Sequence, residues 1–133
     1  MRYFTLNLND KEINLRLTSE SCEKIEEAYK CSLLDYVQQG TITSLVNLLL
    51  HMRKGAGETN VTKNMANAFY DELVDAGYTM ETIVVDIIYE TLVVSGIISK
   101  DDLENIKSEK ERIKNMSDEE KIKLMQERKN LRS

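Results

Sequence analysis

The first seventeen residues alternate. In "RYFTLNL" and "EINLRL", apolar side chains fall at every second position on either side of the turn-prone pair Asn9-Asp10. This is the pattern of two antiparallel strands joined by a tight connection. If partners are chosen so that their numbers sum to nineteen, Phe4 faces Leu15 and Leu6 faces Ile13 on one side. Thr5 then faces Asn14, and Tyr3 faces Arg16, on the other. A lone hairpin is marginal in water, so its apolar face needs a cover. The nearest candidate is the next segment, "TSESCEKIEEAYK", which offers Thr18 or Ser19 as N-cap and sets Cys22, Ile25, Ala28 and Tyr29 at helical spacing over residues 19–30.

Beyond it the period stays helical. "SLLDYVQQG" predicts a short helix capped by Ser32 and closed at Gly40 by a left-handed residue. "TITSLVNLLLHMRKG" predicts a helix over residues 43–54. At 100° per residue, Ser44, Asn47, His51 and Lys54 fall in a polar arc of about 80° and the apolar residues spread over about 200°. "GAGETN" reads as a flexible loop. "VTKNMANAFYDELVDAG" follows as a helix capped by Thr62, with Met65, Ala66, Phe69, Tyr70 and Leu73 inward and Gly77 as its stop. "YTMETIVVDIIYETLVVSG" is rich in β-branched residues, but Thr82, Asp86 and Glu90 recur every four positions, so it reads as a helix from Thr79 to Gly96, again with a wide apolar arc.

The surplus on the two wide-arc helices admits two readings: fully internal helices at the centre of a bundle, or helices that keep a face for a partner or a second copy. On the second reading Ile42, Val46 and Leu50 form the partner stripe, beside Leu45, Leu48, Leu49 and Met52. From Ser99 the pattern thins. "SKDDLENIKSEKERIKNM" carries Leu103, Ile106, Ile113 and Met116 among charges, and "SDEEKIKLMQERKNLRS" restarts with a capping box from Ser117 to Glu120. Pairs such as Glu109/Arg112, Glu111/Lys114 and Glu120/Lys123 suit solvated helices. Ile106, Ile113 and Met116 are the partner candidates of this arm.

Composition narrows the class. With 41% apolar and 31% charged residues in 133, and no Pro, the chain has enough apolar material for one folded domain and few breaks for its helices. No run of eighteen apolar residues marks a membrane span, and the N-terminus turns polar too early for a signal peptide. Residues 1–99 hold 14 acids and 8 bases, and residues 100–133 hold 9 acids and 10 bases. Acids interleaved with the arm's bases argue against a phosphate-tracking surface, although a regulator that binds nucleic acid through the arm is the alternative reading. His51 is the sole histidine, and Cys22 and Cys31 stand nine apart, which fits neither a zinc site nor a redox pair. Adjacent carboxylates such as Glu26/Glu27 point in different directions along a helix. The sequence assigns no catalytic, cofactor-binding or metal-ligating residue.

The expected fold is α+β, mainly α: a β-hairpin packed on a small helical bundle over residues 1–98, then a charged helical arm over residues 99–133. The order "YFTLNLNDKEINLRLTSESCEKIEEAYKCSLLDYV", "GTITSLVNLLLHM" and "YDELVDAGYTMETIVVDIIYETLVVSGIIS" resembles the small tail assembly chaperones of long-tailed phages and prophages of Gram-positive bacteria, over about residues 2–98. The resemblance implies a non-enzymatic, self-associating protein of the host cytoplasm, absent from the finished virion. It implies as partners the tape-measure protein and the tail-tube protein. It supplies no catalytic residues.

Overall fold

A computed structural model describes residues 2–116 and 118–132, the last five by backbone alone. Asn9 and Asp10 both hold positive φ, 50° and 62°, as a tight hairpin connection demands and as short polar side chains tolerate. Strands β1 (Phe4–Leu8) and β2 (Lys11–Leu15) pair antiparallel, with Phe4 opposite Leu15 and Leu6 opposite Ile13. This is the register that the alternation predicts. Thr5 Oγ1 donates to Asn14 Oδ1 at 2.8 Å on the outer side, while Leu6, Leu8, Ile13 and Leu15 are buried on the inner one.

The cover for that inner face differs from the expectation. Of the two N-caps offered, Thr18 and not Ser19 caps helix α1 (Ser19–Tyr29), which packs on α2 (Leu33–Val37) and α3 (Ile42–Gly55). The hairpin leans instead on α3 and on α5, the long helix of residues 80–94. Two main-chain tethers fix it there: Arg16 N–H donates to Met52 O at 3.0 Å, and Leu17 N–H donates to Ser95 Oγ at 2.9 Å. The physical reason is breadth. In α1 only Ile25 of the expected stripe is fully buried, Cys22 and Tyr29 are half-buried and Ala28 is exposed, so α1 has too narrow an apolar face to carry a hairpin.

Helix α3 is the hub. Leu45, Leu48, Leu49 and Met52 are fully buried, and α1, α2, α4 (Lys63–Asp75), α5 and β2 all pack against it. Most of its wide arc is consumed within the chain, with Ile42 exposed at its start and Leu50 half-buried. The polar arc is also partly inside: Ser44 completes a capping box with Thr41, while buried Asn47 donates to Tyr36 Oη at 2.9 Å and accepts from Lys63 Nζ. Both buried polar side chains of this arc, Ser44 and Asn47, therefore find partners.

Helix α5 runs without interruption through Met80–Ile83, a π-helical turn Val84–Ile88 and Tyr89–Val94. Thr79 caps it, and Tyr89 N–H reaches back to Val84 O. Ile83, Ile87, Ile88 and Leu92 are fully buried, and Thr91 satisfies its buried hydroxyl by donating to Ile87 O at 2.8 Å. The chain divides into two compact units, Met1–Ser99 and Lys100–Ser133. The second holds α6 (Lys100–Lys114) and α7 (Asp118–Arg132), with Arg112 paired to Glu109 at 2.7 Å. The expected Ser117 capping box lies outside the described residues. The whole is α+β and mainly helical, with a single two-stranded hairpin among the described residues.

Candidate partner-binding surfaces

The stripe expected to face a partner splits apart. Ile42 is 57% exposed at the start of α3, but Val46 is 2% exposed and part of the core, and Leu50 is half-buried against that core. Val46 is therefore withdrawn as a contact: the elements packed around α3 cover its side of the helix. Ile106, Ile113 and Met116 are each half-buried in the arm. On α7, Ile122 and Met125, one turn apart, are 57% and 69% exposed.

Met65 reverses a second expectation. Predicted inward, it is 41% exposed. Helix α4 presents two neighbouring faces: Ala66, Phe69, Tyr70 and Leu73 enter the core, while Met65, Ala68, Phe69 and Glu72, at i, i+3, i+4 and i+7, line an open groove of about 420 Å³. The β2 segment Lys11–Ile13 also lines it, as do Arg53 and Glu58. The Arg53 guanidinium lies 5.2 Å from the Phe69 ring centroid and donates to Glu58 Oε2 from Nη2 and Nε at 2.8 and 3.2 Å. Ring and carboxylate together hold the guanidinium in place. Sequence reasoning assigned Met65 to the core because one helix face was assumed. The i, i+3, i+4, i+7 repeat ending on Glu72 was the available signal.

A second cavity, of about 230 Å³, is lined by Thr18, Lys24, His51 and Lys54 among others. His51 is half-buried, and its imidazole is held below the usual pKa, first by burial and then by Lys54 and Lys24. The Cys22 thiol is pushed up by burial and by Glu26, which keeps it protonated and a poor nucleophile. Tyr29 stacks on Tyr36 at 4.2 Å, and its phenol is pushed up to about 12 by burial and by Tyr36. Among the described residues no group of three or more His, Cys, Asp or Glu side chains could hold a metal ion, and no helix is long and apolar enough to cross a membrane. Set against family models, curated proteins and solved structures, the chain matches none of them.

Proposed function

We propose that the chain is a phage tail assembly chaperone, a non-enzymatic protein of the host cytoplasm that holds the long helical tape-measure protein and helps recruit tail-tube subunits. The observation that carries this reading is the division of labour along the chain. The segments that resemble such chaperones form one unit with its own core, and a charged helical arm follows with Ile122 and Met125 exposed. A holding factor needs a few apolar contact points on a charged frame, so that it binds a greasy client without aggregating itself. Ile42, Met65, Ile122 and Met125 are such points. Beyond Ile42 the surplus on α3 is no part of the support, because Val46 lies in the core and Leu50 is half-buried against it.

Co-expression with the tape-measure protein of the same tail-gene cluster tests the proposal. The client should become soluble and co-purify with this chain. A client that stays insoluble and is not captured overturns the reading, and retention of DNA or RNA by the purified chain at moderate salt would point to the nucleic-acid alternative.

A further inference from the structure

We infer that the groove between β2 and α4 is a docking site for an amphipathic helix that carries Lys or Arg beside its apolar stripe. The inference rests on the proposed function only in taking a helix as the occupant; the chemistry comes from the groove. Its α4 wall repeats at i, i+3, i+4 and i+7, the spacing that interlocks with a second helix laid alongside. Apolar surface is offered by the exposed Met65 and Ala68, and the buried Ile13 and Phe69 also line the groove. Met65 is an exposed, unbranched side chain that can remould around different apolar partners.

Charge then selects the occupant. Arg53 is spent on Glu58 and on the Phe69 ring, so the rim keeps Glu12 and Glu72 against the single cation Lys11. The unit around it is acidic as well, with 14 acids to 8 bases over residues 1–99. A helix flanked by Lys or Arg meets an attractive rim, and one flanked by Glu meets repulsion. The Arg53–Glu58 pair stiffens part of the groove lining, which lowers the ordering cost of binding.

The test is an NMR titration of the full chain with two soluble helical peptides. Both carry the same leucine stripe, and one is flanked by lysines, the other by glutamates. The lysine-flanked peptide should bind about fivefold tighter or more at low salt and shift the amide signals of Ile13, Met65, Ala68 and Glu72. Glu72→Lys should reverse the preference, and Met65→Lys should weaken binding about tenfold. Met65 is exposed and Glu72 half-buried, and an unchanged melting temperature confirms the fold. Equal affinities, or shifts confined to α6 and α7, overturn the inference. So do groove shifts that grow with protein concentration alone, which would seat a second copy there. Failure of the tape-measure protein to co-purify with the unaltered chain overturns the proposed function and leaves the peptide result standing. Wild-type capture of that client by Met65→Lys/Glu72→Lys overturns the groove and leaves the function.

Discussion

At Gly55 two parts of the chain come into backbone contact. A Cβ there would lie 2.1 Å from Arg16 O and 3.1 Å from Ser21 Oγ, and the obstruction by Arg16 is main chain that cannot swing away. The same crossing carries the Arg16–Met52 tether. Gly55→Ala must therefore push β2 off α3, at a cost of about 3 kcal/mol, and urea denaturation should show the midpoint fall accordingly. His51 gives the residue scale a pH signature. The unfolded imidazole titrates near 6.5 and the folded one lower, so the unfolded chain takes up the proton first. Stability should be level above that value and should decline as pH falls through it toward the folded pKa. Melting curves between about pH 7.5 and 5.5 should show this decline in the natural chain and a flatter course in His51→Gln.

At the scale of one element, α3 decides between the two readings of a wide apolar arc. Val46→Ala should cost about 2 kcal/mol, because it opens a hole in the core, whereas Ile42→Ala should change stability by less than about 0.5 kcal/mol. Equal effects from the two would mean that α3 sits differently among its neighbours. Periodicity told which side chains of α3 are apolar but not whose surface covers them, since that depends on segments far away in sequence. Asn47 shows the limit most clearly. It is polar in the sequence yet buried, because Tyr36 and Lys63, eleven and sixteen residues away, satisfy its amide. Local features were legible: the hairpin register needs only a period of two, and Thr18, Ser32, Thr62 and Thr79 cap their helices through bonds to residues three positions on. The π-helical turn in α5 was not, as it depends on i→i+5 main-chain bonding, such as that from Tyr89 to Val84, that no side chain announces. The groove was half legible: the α4 stripe lay in the sequence, but part of its lining comes from the hairpin.

For the molecule as a whole, the question is whether the arm belongs to the fold or only to the function. The core cluster runs from Leu6 to Leu92, with Ile97 and Ile98 packed against it, and lies within the unit Met1–Ser99. A unit of that length with its own core can fold alone. A chain ending at Ser99 should melt in one cooperative transition, and its NMR spectrum should overlay that of the full chain except near the cut. The charge argument agrees: removing 10 bases and 9 acids takes the net charge from −5 only to −6, too small a change to alter solubility. Broad, non-cooperative melting of the shortened chain would make the arm part of the structure. With the fold intact, client solubilisation becomes a clean readout. Its loss would assign the grip to α6 and α7, where Ile122 and Met125 stand exposed, and its survival would assign the grip to the groove beside Met65.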